Sequence, residues 1–109
     1  MKLLTRSEEF VMLATWKLQD DAYSLPIRKQ VSAITGQKWS LSSIYTPLDR
    51  LTRKGLLTSS LTDPAPERGG RSKRVYRLTE SGRKALLHIR SVEQEIWSDV
   101  TGLTLEKGR

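Results

Sequence analysis

The sequence predicts a mostly α-helical fold with a small β-hairpin, in a single domain of 109 residues. Apolar residues recur at steps of three and four in several segments, which is the period of an amphipathic helix. Two short strand candidates flank a loop rich in proline and glycine, which is typical of a hairpin. The chain length suits one modest core, so we expect these elements to pack around one apolar centre.

The first helix is predicted to begin after Ser7, which can cap it. Glu8 and Glu9 would then lie in the first turn, where the helix dipole favours acids. Residues 10–18 are apolar on more than one side, so this helix requires burial against more than one neighbour. In so small a domain we expect a second copy of the chain to supply part of that burial, with Phe10 and Leu13 at the interface.

The second helix is predicted to start at Pro26, because proline suits the first helical position. Residues 22–25 would form a short extended connector before it. Ile27, Val31 and Ile34 mark the buried side of this helix, and Gly36 can end it in a left-handed conformation.

A third helix is predicted from one apolar stripe, formed by Leu41, Ile44, Leu48 and Leu51. It opens somewhere between Ser40 and Ser43. The proline at position 47 removes a backbone donor and crowds the preceding turn. The helix therefore either starts near Ser43 or is distorted in its first turns, and the glycine at position 55 ends it.

The strand candidates cover residues 56–61 and 71–78, and Tyr76 is expected at the base of the hairpin. Thr79 is predicted to cap a last helix that ends at about residue 100. At 1.5 Å per residue this helix is roughly 30 Å long, which exceeds the small body before it. Its apolar stripe is formed by Ala85, Ile89, Val92 and Ile96, and is widened by Leu86 and Trp97. Trp16 and Trp39 are expected in the core, and the tail 101–109 is expected to fray.

Positive charge is concentrated around the hairpin. Residues 50–77 carry eight basic side chains against two acidic ones, which is +6 of the formal +7 of the whole chain. Such a field suits the phosphates of double-stranded DNA. An anionic membrane surface is the weaker alternative, because the basic segment lacks a long apolar face.

Composition excludes several function classes. The chain has no cysteine and a single histidine, His88. It therefore lacks the side chains from which a metal site or a catalytic triad is usually built. The pair Gly69 and Gly70 is not followed by a lysine–serine pair at the spacing of a nucleotide-binding loop, and no cofactor is predicted. No apolar run reaches the roughly 18 residues of a membrane span. We therefore expect a cytoplasmic protein that is not an enzyme.

The predicted order of helix, helix, helix, strand, loop, strand and helix is that of a winged helix-turn-helix. In this fold the third helix enters the major groove, and the hairpin, called the wing, reaches the neighbouring backbone or minor groove. Two segments carry a closer resemblance: SIYT at 43–46 with LDRL at 48–51 and KGLL at 54–57, and then ERGGRSKRVYRLTESG at 67–82. With them the chain, over roughly residues 8–100, closely resembles the PadR family of bacterial transcriptional regulators.

The resemblance implies a winged-helix regulator, usually a repressor, that is dimerised by its C-terminal helix. We expect a homodimer on a near-palindromic operator, with a DNA-binding core at about 7–78 and a dimerisation helix at about 79–100. The predicted DNA contacts are Lys29, Lys38, Ser42, Ser43, Tyr45, Thr46 and Arg50, together with Arg71, Lys73 and Arg74 of the wing. The predicted dimer contacts are Phe10, Leu13, Ile89, Val92, Ile96 and Trp97.

Several of these residues have a second interpretation. Ser42 and Ser43 also suit helix capping, and Tyr45 also suits packing against the second helix. Trp97 is expected to anchor the interface. By the resemblance it is also a candidate to stack on a small aromatic effector, as in some short family members. The alternative function is a winged-helix protein-interaction module within a larger assembly.

Overall fold

Four α-helices and one antiparallel hairpin follow each other in the predicted order in a computed structural model, which describes residues 2–63, 69 and 72–105. The elements are α1 (Arg6–Leu18), α2 (Ser24–Thr35), α3 (Leu41–Arg53), β1 (Leu57–Leu61), β2 (Arg74–Leu78) and α4 (Glu80–Trp97). A short 3-10 turn at Gln19–Asp21 follows α1. The predicted fold class, with three helices before a wing and one after it, is confirmed.

The start of α1 differs from the prediction, because Thr5 rather than Ser7 caps the helix. The Thr5 hydroxyl accepts from the backbone N–H of Glu8 at 3.2 Å, and the Glu8 carboxylate accepts from the backbone N–H of Thr5 at 2.8 Å. This reciprocal capping box requires an acid or amide three residues after the cap. Ser7 has Phe10 at that position, so only Thr5 can form the pair.

The start of α2 is also earlier than predicted. Ser24 is its first residue, so Pro26 occupies the third position and not the first. Proline is tolerated there because the first N–H groups of a helix have no intrahelical acceptor. Gly36 ends α2 in the left-handed conformation with φ +70°, as predicted. Ile34 lies in the last turn and is exposed, so it does not belong to the buried stripe.

The third helix runs from Leu41 without interruption, so the alternative start near Ser43 is wrong. Its proline is accommodated inside the helix and buried. The side chains of Ile44, Leu48 and Leu51 are fully buried, whereas Leu41 is partly exposed at the first turn. These three residues fix which side of α3 faces the core and which side remains free.

The hairpin is attached to the helical body at its base. The strands pair antiparallel from Leu57 opposite Leu78 to Leu61 opposite Arg74. On β2, Tyr76 is buried, as predicted, and its backbone N–H donates to the carbonyl of Ala22 at 2.8 Å. The base of the wing is therefore held by the connection between α1 and α2.

Helix α4 starts in close contact with the residue before β1. Thr79 caps it by accepting from the backbone N–H of Gly82 at 3.0 Å, as predicted. A Cβ atom on Gly82 would lie 2.1 Å from the carbonyl oxygen of Leu56. Only glycine permits this approach, which sets the direction in which α4 leaves the domain.

Candidate nucleic-acid interface

Helix α3 presents a polar side opposite its buried stripe. This side, called here the outer face of α3, is exposed and consists of Ser42, Ser43, Tyr45, Thr46, Asp49 and Arg53. Four of the six residues carry hydroxyl groups, which donate to and accept from base edges or phosphates. Four predicted DNA contacts, Ser42, Ser43, Tyr45 and Thr46, are thus brought together on one surface.

The capping role that Ser42 and Ser43 could have filled belongs to Ser40. Its hydroxyl accepts from the backbone N–H of Ser43 at 3.1 Å. The Ser40 hydroxyl also lies 2.7 Å from that of Ser43 and 3.1 Å from that of Ser42. The first turn of α3 therefore carries a connected group of three exposed hydroxyls at the end that a recognition helix directs towards the bases.

Two hydroxyls of the outer face already donate within the protein. The Tyr45 hydroxyl donates to Ser24 of α2 at 3.0 Å, although the ring remains exposed. The Thr46 hydroxyl donates to the backbone carbonyl of Ser42 at 3.0 Å. Each oxygen is thereby oriented and keeps its lone pairs available to accept from an external donor.

The outer face of α3 and the wing share a groove of about 470 Å³. Asp49 and Arg53 contribute from the helix, and Ser59 and Arg74 contribute from the two strands. The Arg74 guanidinium donates to the Ser59 hydroxyl across the hairpin at 3.0 Å. Burial, followed by the charge of Asp49, raises the pKa of Tyr76 at the floor of this groove. Helix α3 and the wing are therefore neighbours on one side of the molecule.

Sequence reasoning missed Arg53 as a candidate contact and chose Arg50. The two differ by three helical steps, and a helical-wheel projection from the buried stripe would have distinguished them. Arg53 lies on the outer face, next to the wing. Arg50 lies on the flank of α3 that faces α1, where its Nε donates to the Glu8 carboxylate at 3.0 Å.

Several charges of the basic segment have partners inside the protein. Lys54 also contacts Glu8, at 3.0 Å, and Arg77 forms an ion pair with Asp20. The Lys73 ammonium lies 4.2 Å from the centre of the Tyr23 ring, a cation–π distance. The predicted wing contact Arg71 lies outside the described residues. Lys29 on α2 and Lys38 in the connection to α3 are both exposed.

Glu8 is the anionic centre of this arrangement. Its side chain is 1% exposed, yet it binds two cations and a backbone N–H group. Burial raises the pKa of a carboxyl group, but here the hydrogen bonds from Thr5, Lys54 and Arg50 outweigh burial and lower the pKa of Glu8 to about 2. Glu8 is therefore ionised throughout the physiological pH range.

The predicted dimer contacts separate into two groups. Phe10 is half-buried and packs edge-on against Trp39 with ring centres 6.3 Å apart, and Ile89 is buried within the single chain. Trp39 is packed against the core, as predicted. In contrast, Ile96 and Trp97 are 68% and 59% exposed. Leu13 is likewise exposed, and Val92 is half-buried.

An apolar groove of about 410 Å³ lies between α1 and α4. Trp16 lines it and is 47% exposed, so the prediction that Trp16 belongs to the core is wrong. The Arg83 guanidinium lies 5.2 Å from the centre of the Trp16 ring. Trp97, the predicted effector contact, is not part of this groove within one protomer. The remaining lining residues are Glu9, Leu13, Leu78, Leu86, Leu87, Arg90 and Glu93.

Among the described residues, no helix has both the length and the apolar character needed to cross a membrane. A comparison with curated protein sequences finds no significant match. Solved structures, however, share the fold. The structure of RosR from H. salinarum is 21% identical, with a TM-score of 0.68 over 89% of this chain and 80% of that chain.

Two further structural neighbours are described as PadR proteins. The PadR-like transcription factor from Bacteroides fragilis is 22% identical, with a TM-score of 0.67 over 82% of this chain and 81% of that chain. The PadR family transcriptional regulator from Eggerthella lenta is 26% identical, with a TM-score of 0.63 over 79% and 72% of the two chains. The sequence model of the transcriptional regulator PadR-like family matches residues 12–88, which is well over half of the chain. The chain therefore belongs to the PadR-like family of transcriptional regulators, and it is a DNA-binding regulator rather than an enzyme.

Proposed function

We propose that the protein represses transcription by binding a near-palindromic operator as a homodimer. The observation that carries this proposal is the groove shared by α3 and the wing, which is lined by both Arg53 of the helix and Arg74 of β2. A major groove admits a helix, and the flanking phosphates attract cations. One protomer can therefore contact base edges and backbone at the same time.

The residues divide by chemistry into two proposed roles. Ser42, Ser43 and Thr46 have short side chains near the exposed start of α3, so we assign them to base edges and nearby phosphates. Tyr45 is held by Ser24 and suits a phosphate or sugar contact. Contacts with the DNA backbone fix the position of the protein on the duplex without reading its sequence. We assign these contacts to the cations Lys29, Lys38, Arg71, Lys73 and Arg74.

The homodimer is supported by the exposed apolar side chains on the last turns of α4. Ile96 and Trp97 are largely solvent-accessible in one protomer, and large apolar side chains of this kind anchor interfaces. In a twofold arrangement the two copies of α3 would lie about 34 Å apart, one duplex turn. This symmetry predicts a near-palindromic operator whose two inverted half-sites have that spacing. A regulator of this kind acts on DNA in the cytoplasm.

Selection of bound duplexes from a random pool tests the DNA-binding proposal directly. We expect one motif with two inverted half-sites, and an affinity that falls steeply with salt. Failure to enrich any motif would contradict sequence-specific binding. Transcription in vitro from a promoter that carries the motif then distinguishes repression, which lowers transcript yield, from activation, which raises it.

Two substitutions separate the backbone role from the base-reading role. Arg74→Gln is expected to weaken binding to the operator and to a scrambled duplex by a similar factor. It is also expected to reduce the salt slope, which is the slope of log affinity against log salt concentration. Thr46→Ala is expected to change the preferred bases and to leave the scrambled duplex unaffected. Lys84→Gln is the control, because Lys84 is an exposed cation on α4 and does not line the groove shared by α3 and the wing. If Arg74→Gln and Lys84→Gln behave alike, Arg74 makes no specific contact with DNA.

The alternative assignment, a protein-interaction module, would use the same exposed end of α4 for a different partner. It expects weak DNA binding without sequence preference and a monomer in isolation. Light scattering on the purified protein that shows a dimer, together with an enriched motif, contradicts this alternative.

A small aromatic effector is a further part of the proposal. Trp97 is exposed on a helix that would meet its partner copy, and stacking on an indole suits a flat aromatic ring. Once a ligand is identified by its effect on operator binding, Trp97→Ala is expected to weaken ligand binding at least tenfold. Unchanged ligand affinity in that variant would remove Trp97 from the ligand site.

A further inference from the structure

Glu8 uses its whole carboxylate to connect α1 with α3. One oxygen accepts from Arg50 Nε and Lys54 Nζ, both at 3.0 Å. The other oxygen accepts from the backbone of Thr5. The acid is 1% exposed, whereas the side chains of Arg50 and Lys54 are 40% and 39% exposed. The buried partner is thus the anion, and both cations can reach water if the anion is lost.

The two cations belong to the helix that carries the proposed DNA-reading residues. Arg50 and Lys54 are separated by one helical turn, at the C-terminal end of α3. Unpaired cations next to a duplex add affinity that does not depend on sequence, because they neutralise phosphates and release counterions. Pairing with Glu8 neutralises part of this charge. It also fixes two long side chains that could otherwise extend towards the DNA backbone.

We propose that Glu8 is a specificity-determining positioning residue of the DNA-binding surface. It holds α3 against α1 and restrains Arg50 and Lys54, so that these cations do not contribute sequence-independent phosphate contacts. The inference rests on the proposed DNA-binding function and adds a residue on α1 that touches no DNA. It implies that loss of the negative charge makes the protein bind DNA more tightly and less selectively.

Glu8→Gln tests this inference with little change in shape. Glutamine can still accept from the Thr5 backbone, so the cap of α1 is retained, and Arg50 and Lys54 can be hydrated. Glu95→Gln is the matched control, since Glu95 is an exposed acid on α4 and the change in net charge is the same. Fluorescence anisotropy would measure binding of each variant to the selected operator and to a scrambled duplex over a range of salt concentrations.

We expect Glu8→Gln to bind the scrambled duplex on the order of tenfold more tightly and to steepen the salt slope by about one unit for each restored phosphate contact. The ratio of operator affinity to scrambled affinity is expected to fall by a similar factor. Glu95→Gln is expected to leave that ratio unchanged. Equal weakening on both duplexes would indicate a merely structural role and overturn the inference, as would an unchanged ratio or an equal effect of Glu95→Gln.

A second variant keeps the inference testable if Glu8→Gln does not fold. Because Glu8 restrains Lys54 away from the phosphates, Lys54→Gln is expected to change affinity for the scrambled duplex by less than about twofold, a small fraction of what a lost phosphate contact causes. A loss as large as that of Arg74→Gln would show that Lys54 contacts phosphates and would overturn the inference. If the parent protein selects no DNA motif, the proposed function itself fails, which is a separate result.

Discussion

Adjacent acids on the first turn of α1 experience opposite environments. Glu8 faces α3 and accepts from two cations, which lowers its pKa to about 2. Glu9 faces α4, where burial and then the neighbouring carboxylate of Glu93 raise its pKa. Arg6 lies between Glu9 and Glu93, at 3.2 Å and 2.6 Å, and its positive charge opposes the rise in the pKa of Glu9. Side chains that are consecutive in sequence therefore serve two different helix contacts.

The low pKa of Glu8 predicts a specific pH dependence of stability. Because the folded-state pKa lies below the usual value of 4.5, ionised Glu8 stabilises the fold above about pH 4.5. This contribution is lost as pH falls from about 4.5 towards 2. Its size corresponds to on the order of 3 kcal/mol at neutral pH. We therefore expect Glu8→Gln to lower the free energy of unfolding at pH 7 and to have a smaller effect near pH 3.

Urea unfolding of the parent and the variant at several pH values measures this difference. The comparison between the two proteins cancels the titration of the other carboxyl groups. Glu95→Gln serves as the control, and its effect is expected to be small at every pH. A constant difference between the parent and Glu8→Gln from pH 7 to pH 3 would contradict the assigned pKa.

The sequence alone identified both glutamates only as acids near a helix start, because that property depends on local spacing. It could not reveal the partners of Glu8, which lie 42 and 46 residues away. The exposure of Trp16 was missed for a related reason. An apolar residue on an apolar helix is expected to be buried, but α4 leaves a groove at that position. Pair contacts between distant segments depend on the packing angles of the helices, which local patterns do not contain.

At the scale of elements, the junction between the hairpin and α4 depends on one glycine. Gly82→Ala would place a methyl group 2.1 Å from the Leu56 carbonyl oxygen, a distance that backbone atoms cannot accept without moving. We expect this variant to lose about 3 kcal/mol of unfolding free energy, the upper part of the usual range for overpacking. Thermal unfolding followed by circular dichroism would measure the loss.

Ser81→Ala provides the comparison for Gly82→Ala. Ser81 is the neighbouring residue and is exposed, so its replacement tests the effect of an added helix-favouring alanine in the same turn. It is expected to change the melting temperature by no more than a few degrees. Equal melting temperatures for the two variants would show that α4 can move away from Leu56 at no cost.

Element order and several helix boundaries followed from the sequence, and the deviations at the starts of α1 and α2 have local causes. Gly36 and Thr79 were recognised as the end of one helix and the cap of another, because these signals act over one turn. The predicted cap of α1 was Ser7 instead of Thr5, because both of these hydroxyl residues precede the acids. The exposure of the outer face of α3 was predicted, but that Arg50 faces α1 and Arg53 faces the wing depends on how α3 packs against α1.

At the scale of the whole molecule, the protomer is elongated, with extents of 59, 33 and 20 Å. The distal part of α4, residues 91–97, carries exposed apolar side chains, and this is the pattern expected if a second copy covers them. The sequence predicted a helix that exceeds the body, because its length and stripe are local properties. Which side chains meet across a dimer remains a prediction.

Ile96→Asp tests that prediction at the exposed end of α4. A charge placed inside an apolar interface costs several kcal/mol, so we expect the dimer to dissociate to monomers at micromolar concentration. Ile34→Asp is the control, because Ile34 is similarly exposed but lies on α2. Light scattering during gel filtration would report the mass of each variant. A dimeric Ile96→Asp protein would exclude this end of α4 as the contact between copies.

The hydrogen bond between the Tyr76 amide and the Ala22 carbonyl has a consequence for the DNA sites that the protein can occupy. This bond restrains the base of the wing, so we expect a nearly constant distance between the point where α3 enters the major groove and the point where the wing meets the DNA backbone. One extra base pair in the operator between those two points would move the phosphates that the wing contacts by about 3.4 Å along the duplex and rotate them around its axis. We expect the protein to reject such a site even when every base that it reads is retained.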